Sequence, residues 1–330
     1  MDIVYASDDN FIRHVAASIY SLFFYNRDEE EINVYILCPG LKEESYAGIN
    51  KIARKFGRSI EFIQIGNLRE RFPFEVDTGG FNINNLSRLF VCSFLPENVD
   101  RVFYIDGDTV VTDSLRYLSN IDLGDKLVAM AMEPSVGINI KSGIDFGEDE
   151  PYYNAGVLVF DLKRWRQEGI ELKLLEYYRD KGGNLFACDQ DVINGTFRGK
   201  VMLLPPRYNF FSNYKYFRYS ALVKKTPAYA AVGKKNFNAA KKNPAIIHFL
   251  GDERPWKRGN LNPYRSIYKK FLNKTDWANT PDEPGMELYL FAFHIMEWIT
   301  FICPPFRNWL NSRYGMKVIS NRKKKSSKKK

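Results

Sequence analysis

Asp106 and Asp108 stand two residues apart in the run YIDGDTVV, residues 104–111. They follow the apolar stretch Val102-Phe103-Tyr104-Ile105, which reads as a buried strand. Alternation along a strand would turn both carboxylates to the same face. Crowded there they repel each other, and one would hold its proton more tightly unless a cation came between them. An all-oxygen pair suits a hard divalent ion, Mn²⁺ or Mg²⁺. The plainer alternative is a solvated turn at a strand end, where Asp-Gly-Asp is ordinary sequence.

Three further runs carry chemistry-bearing side chains, each with a structural alternative. SDDN (residues 7–10) precedes apolar positions Phe11, Val15, Ile19 and Leu22 at helical spacing, so any of its members could cap that helix. CDQDVIN (residues 188–194) opens another helix, whose dipole favours acids in its first turn. His248, one of three histidines with His14 and His294, sits in AIIHFLG (residues 245–251), and a lone histidine at a strand end is more often structural. DGDT also resembles the aspartyl nucleophile loop DxDGT of haloacid-dehalogenase-type phosphatases. Those enzymes carry it on the first strand with glycine after the second acid, whereas here glycine lies between the acids.

These residues need a scaffold. Residues 2–6, 32–38, 60–65 and 101–105 read as strands, alternating with helices that start at Phe11, at 42–56 and at 84–95. After Asp125 the pattern is less regular, with a strand at 156–162, a helix through Tyr178, a helix opening at Cys188 and a late strand at 245–251. Alternation of this kind predicts an α/β fold: a mostly parallel sheet with helices on both faces. Such sheets bind ligands at the carboxyl ends of their strands, near a topological switch point. Both SDDN and DGD fall at strand carboxyl ends.

The hydrophobic share of 45% and charged share of 26% are globular proportions. The net charge of +9 hints at nucleic acid, but Arg322, Lys323, Lys324, Lys325, Lys328, Lys329 and Lys330 supply seven of those charges. The body is nearly neutral, so no nucleic-acid partner is expected. Cys38, Cys92, Cys188 and Cys303 show no CxxC spacing, and MDIVYASDDN has acids where a signal peptide would be basic and then apolar. A cytoplasmic, reducing location is expected. Residues 263–284 read as a linker. Residues 286–310, MELYLFAFHIMEWITFICPPFRNWL, are dense in aromatic side chains but interrupted by Glu287, His294 and Glu297 and broken by Pro304-Pro305. That falls short of the ~20 apolar residues needed to span a bilayer. Followed by a polybasic tail, it fits an amphipathic helical segment lying on an anionic membrane surface, each basic charge adding about 1 kcal/mol. The bland reading is a helix packed on the domain with a solvated tail.

The runs IVYASDDNF, LSRLF, VFYIDGDTVV, YYNAGVLVFDLKRW, CDQDVIN and IIHFLGDERPW occur in that order. Together they closely resemble the family 8 glycosyltransferases of the GT-A fold, a group that includes bacterial lipopolysaccharide galactosyl- and glucosyltransferases and glycogenin. The resemblance implies a GT-A, Rossmann-like catalytic domain over residues 1–262, with nucleotide-sugar binding in 1–125 and acceptor and catalytic functions in 126–262. It implies retaining transfer of a hexose from UDP-galactose or UDP-glucose, with Mn²⁺ (Mg²⁺ as substitute), to a cell-surface glycan or glycolipid such as lipopolysaccharide core. Residues 285–330 would attach the enzyme peripherally to the inner face of the cell membrane.

Residue by residue, Asp106, Asp108 and His248 match the metal ligands. Ala6, Asp8, Asn10 and Phe11 match the positions that hold uracil and ribose, with Phe11 where relatives often carry tyrosine. Gly107 lies within the metal run. Arg88, Asn154 and Asp189 match residues around the donor hexose, and Gln190 matches the group placed near the anomeric carbon. Asp191 is the remaining carboxylate candidate there. Arg254 replaces the lysine of the GxxKPW stretch that meets the diphosphate, Lys257 is a nearby substitute, and Gly251 would let the backbone approach the phosphates. The rival readings are a metal-dependent phosphohydrolase, which needs neither SDDN nor HFLG, and a non-catalytic UDP-sugar-binding module.

Overall fold

Apolar runs of five or six residues, each ending in a polar turn, form the centre of the sheet. A computed structural model of the chain describes residues 1–303 and Phe306. Strands β1 (Asp2–Ala6), β2 (Asn33–Cys38), β3 (Ile60–Gln64) and β4 (Arg101–Ile105) run parallel in the order β3-β2-β1-β4. A second, three-stranded sheet contains β5 (Thr109–Val111). The main sheet continues past β4 through β6 (Val128–Met132), β7 (Tyr153–Asp161) and β8 (Val201–Leu203) in the order β4-β7-β6-β8, with β7 antiparallel to both neighbours. In the smaller sheet β10 (Ile246–His248) lies between β5 and β9 (Phe210–Phe211).

Strand alternation divides the core into two layers. Ile3 and Tyr5 of β1 pack with Val15 and Ile19 of helix α1 (Ile12–Tyr25), while Val4 faces the opposite layer with Leu86, Leu89 and Leu158. The segment expected as a helix over 84–95 is a 3₁₀ turn at Ile83–Phe90 followed by a short α-turn at Val91–Phe94. Its tighter three-residue repeat puts Leu86 and Leu89 on one line against the sheet. Because β1 pairs with β2 on one side and β4 on the other, its carboxyl end is the topological switch point. The loops that follow β1 and β4 leave side by side from there.

The linker expected at 263–284 is not one. A helix at Arg265–Leu272 buries Tyr268, Phe271 and Leu272 against α1, so the segment belongs to the domain core. Of the aromatic segment after it, the described residues form a helix at Glu287–Ile302. Leu290, His294, Glu297 and Thr300 are buried, whereas Leu288 and Trp298 are 83% and 68% exposed. No described helix is long and apolar enough to cross a membrane. The polybasic tail lies outside the described residues.

Gly107 shows how tightly the β4–β5 turn rides over α1. A Cβ there would stand 2.5 Å from Val15 Cγ2 and 3.1 Å from Phe11 Cε1. Gly107→Ala should therefore cost ~1–3 kcal/mol through overpacking. The check is a lower denaturant midpoint at unchanged slope; an unshifted midpoint would show that the helix yields freely.

Candidate functional site

The site begins where β4 ends. Asp106 donates its backbone N–H to the Gly156 carbonyl at 2.8 Å, and the chain then turns through Gly107 and Asp108 into β5. β5 pairs antiparallel with β10, setting Thr109 opposite His248, and the Phe249 N–H donates to the Asp108 carbonyl at 2.9 Å. His248 Nε2 thus lies 3.3 Å from Asp108 Oδ1 and 3.9 Å from Asp106 Oδ2. One donor atom from each of the three sits within 4.8 Å of the others. The two carboxylates do converge, but through a turn and a second sheet and not through alternation on one strand.

A chain of hydrogen bonds fixes which nitrogen of His248 carries the proton. The Glu133 carboxylate accepts from Asn154 Nδ2 at 2.9 Å, so Asn154 Oδ1 faces the other way. There it accepts from the Gly156 N–H at 2.8 Å and from Asn209 Nδ2 at 2.9 Å. Asn209 Oδ1 is then left to accept from His248 Nδ1 at 2.9 Å. The imidazole holds its proton on Nδ1 and turns the bare Nε2 to the two aspartates, the arrangement that metal-ligating histidines require. Burial holds His248 below its ordinary pKa, against the opposing pull of Asp106, which keeps the ring neutral. Gly156 makes the room: a Cβ there would lie 2.2 Å from His248 Cε1. Two carboxylates and a neutral imidazole fit a divalent cation of the Mn²⁺ type.

Two arginines neutralise the acids. Arg88, buried, donates from Nη2 to Asp106 Oδ1 and pairs through Nε with Asp189 Oδ2, both at 2.9 Å. Its guanidinium also covers the Tyr104 ring at 4.2 Å and bonds the Ala155 carbonyl. Burial pushes the Asp189 carboxyl up to about 6, although Arg88 pulls it down. Cys188, just before it, is held at φ 47°, ψ −117°, sparsely populated backbone for a residue with a Cβ. Arg254 Nη1 pairs with Asp108 Oδ2 and donates to the Phe249 carbonyl at 2.5 Å. Lys257 does not share that position; its ammonium pairs with Glu283, away from the cleft.

The cleft itself is about 360 Å³, and its lining includes Ala6, Asp8, Asn10 and Phe11 from the loop after β1 together with Asp106, Asp108 and Arg254. Asp8 does two jobs. Its Oδ1 accepts the Asn10 and Phe11 N–H groups at 3.0 and 3.1 Å, fixing the turn that leads into α1, while Oδ2 accepts from Asn82 Nδ2 at 2.7 Å. Phe11 lies edge-on to Trp256, ring centroids 5.7 Å apart. Gly251, at φ +81°, turns the chain just after β10. Gln190 sits below, its Oε1 accepting from the Ala155 N–H at 2.9 Å and Asn154 Nδ2 at 3.1 Å. Asp191 is set apart: it is buried and accepts from the Ala187 N–H at 2.7 Å and from the Tyr152 hydroxyl. Sequence reasoning missed Glu133, Asn209 and Asn82. Glu133 had one signal, an acid directly after the apolar strand β6.

The glycosyl transferase family 8 model matches residues 2–259. The chain is 27% identical over 289 residues to General stress protein A of Bacillus subtilis, covering 87% of this chain and 97% of that protein. It is 25% identical over 282 residues to the lipopolysaccharide 1,2-glucosyltransferase of Escherichia coli, covering 84% of this chain and 79% of that one. A crystal structure of the galactosyltransferase LgtC, in complex with donor and acceptor sugar analogs, superposes with a TM-score of 0.69 at 26% identity. It covers 84% of this chain and 96% of LgtC, with the same GT-A architecture. With a match that runs from β1 to beyond β10 and takes in every residue lining the cleft, the chain belongs to glycosyl transferase family 8.

Proposed function

We propose that the chain transfers a hexose, galactose or glucose, from a UDP-sugar to a cell-surface glycan or glycolipid, with retention and with bound Mn²⁺. The observation that carries this reading is one cleft lined by Asp8, Asp106, Asp108 and Arg254, with His248 beside the two aspartates behind it. Asp106, Asp108 and His248 would hold the cation, which when bound supplies countercharge to a diphosphate leaving group. The half of Asp8 turned to Asn82 can accept the uracil N3–H. Arg254 offers a planar fork to phosphate oxygens. A glycan acceptor is supported by the LgtC complex with sugar analogs and by the lipopolysaccharide-directed relative.

Retention needs attack on the face from which UDP leaves. Gln190 is an amide, a poor nucleophile, and its oxygen already accepts two hydrogen bonds. Asp189 is clamped by Arg88, and Asp191 is buried away from the cleft. These constraints favour same-face attack on a short-lived oxocarbenium-like ion pair over a stable glycosyl-enzyme. Asp189 and Asn154 would orient the hexose, and Arg88 keeps Asp189 and Asp106 in place. The exposed face of the C-terminal helix, with Leu288, Phe291, Ile295 and Trp298, supports peripheral attachment to the inner face of the membrane.

Purified protein with Mn²⁺ should release UDP from UDP-galactose or UDP-glucose, and EDTA should abolish release. Asp108→Ala should cut turnover by more than about 100-fold, beyond the range of outer-shell changes, while the circular-dichroism spectrum stays that of the folded wild type. Hydrolysis of simple phosphate esters without UDP release would overturn the reading, as would UDP binding without turnover of any donor. Asn209→Ala leaves the His248 Nδ1–H without its acceptor and should weaken Mn²⁺ binding by roughly 10–100-fold, measured by calorimetry; unchanged affinity would sink the proposed role of the tautomer. Vesicles containing phosphatidylglycerol should sediment the protein in a salt-sensitive way, and Trp298→Ser should reduce the bound fraction. Equal binding to purely zwitterionic vesicles would rule out the electrostatic share.

A further inference from the structure

The buried face of the C-terminal helix is mostly polar. Of Leu290, His294, Glu297 and Thr300, three carry polar side chains, and His294 and Glu297 meet a third buried group, Glu253, only 1% exposed. His294 Nε2 accepts the Leu261 backbone N–H at 2.8 Å. A backbone amide can only donate, so the neutral ring carries its proton on Nδ1. That Nδ1–H lies 3.0 Å from Glu297 Oε2 and 3.5 Å from Glu253 Oε1. The bare nitrogen therefore points away from the carboxylates, and the cluster shows them a proton. A cation does not fit it, in contrast to the His248 site. Burial first, and the neighbouring Glu297 next, push the Glu253 carboxyl up to about 9, so it stays protonated at neutral pH. An acid, a carboxylate and an imidazole N–H then share one buried negative charge.

Each of these contacts lands on the same stretch of chain. Tyr289 donates its hydroxyl to Asp252 Oδ2 at 3.1 Å, Glu287 stands 3.7 Å from Arg258, and His294 holds Leu261. Glu253 is the neighbour of Arg254, whose guanidinium reaches Asp108 and lies 5.6 Å from the Trp256 ring centroid. Trp256 in turn stacks on His14 at 3.6 Å. Arg254 is thus aimed by a segment held on one side by the core and on the other by the helix.

We propose that the C-terminal helix is a positioning element of the donor site: through Glu253, His294 and Glu297 it sets the segment that directs Arg254 to Asp108 and to the donor diphosphate. The proposal rests on the UDP-sugar reading above. It makes the helix a working part of the cleft as well as a means of attachment. His294, Glu297 and Glu253 are positioning residues and touch no substrate.

The test uses the full chain and the affinity for UDP in saturating Mn²⁺, by calorimetry. His294→Ala and Glu297→Ala should each weaken UDP binding about fivefold to tenfold, and neither should add to the loss already caused by Arg254→Ala, since coupled residues are non-additive. Glu297→Gln keeps an acceptor for the Nδ1–H and should recover most of the affinity. In steady state the donor KM should rise by a similar factor with kcat nearly unchanged. Tyr289→Phe, which removes one hydroxyl from the same interface, gives a mild variant if the others fold poorly; its loss should also vanish in the Arg254→Ala background. Full affinity in these variants, or an equal loss with and without Arg254, overturns the proposal while the wild type still binds UDP. A wild type that fails to bind UDP overturns the donor reading and this inference with it.

Discussion

Two carboxylates at the end of a buried strand are the constraint around which the rest of this molecule is arranged. Removing a carboxylate from water without a partner costs several kcal/mol. Asp106 and Asp108 each have a guanidinium, Arg88 and Arg254, and share a neutral imidazole. The two arginines are not equivalent. Arg88 is locked from below by Asp189, the Ala155 carbonyl and the Tyr104 ring, so its charge is a permanent part of the floor. Arg254 is held from above by a turn and a helix, with one carbonyl and one carboxylate as partners. Arg88 thus gives the acids a countercharge from the floor of the site, and Arg254 gives Asp108 a second one from the segment after β10.

Bringing those groups together demands two sheets. The parallel part of the main sheet delivers Asp8 and Asp106 side by side at the switch point, but nothing in it can supply the histidine. β10 does so by pairing with β5, immediately after Asp108, so the register of three residue pairs fixes the His248 position. The antiparallel β7 contributes the missing side chain at Gly156, and its neighbour Asn154 begins the hydrogen-bond chain that ends at His248 Nδ1. The candidate metal-binding cluster thus depends on β4, β5, β7 and β10, which come from three separate parts of the chain.

That dependence explains what could be read from the sequence. The strands and most helices were legible because a buried strand is a run of apolar residues whatever it pairs with. Asp106, Asp108, His248 and Asp8 were legible because their types and their places at strand ends carry chemistry by themselves. Asn209 and Glu133 were not, since an asparagine in PRYNFF or an acid after an apolar strand acquires meaning only from a partner far along the chain. Asp191 and Lys257 failed in the opposite way. Asp191 stands two residues after Asp189, which pairs with Arg88, and Lys257 three after Arg254, but local partners, Tyr152 and Glu283, turn them aside. The packed helix at 265–272 was hidden for a related reason: Tyr264, Tyr268 and Phe271 had helical spacing, but the flanking prolines and polar residues read as a linker.

The two histidine–carboxylate clusters show how one set of residue types serves opposite ends. Around His248 a side-chain oxygen takes the Nδ1 proton, and the lone pair meets the acids, so the imidazole adds no positive charge to what the two arginines supply. Around His294 a backbone N–H takes the lone pair, and the proton meets Glu297 Oε2. Composition alone does not separate the two, since each is two acidic groups and an imidazole, buried or nearly so. What separates them is the polarity of the third partner, an acceptor in one case and a donor in the other. The first cluster therefore offers a lone pair that a cation could use and the second does not, and the short segment from His248 to Leu261 connects them with Arg254 in between.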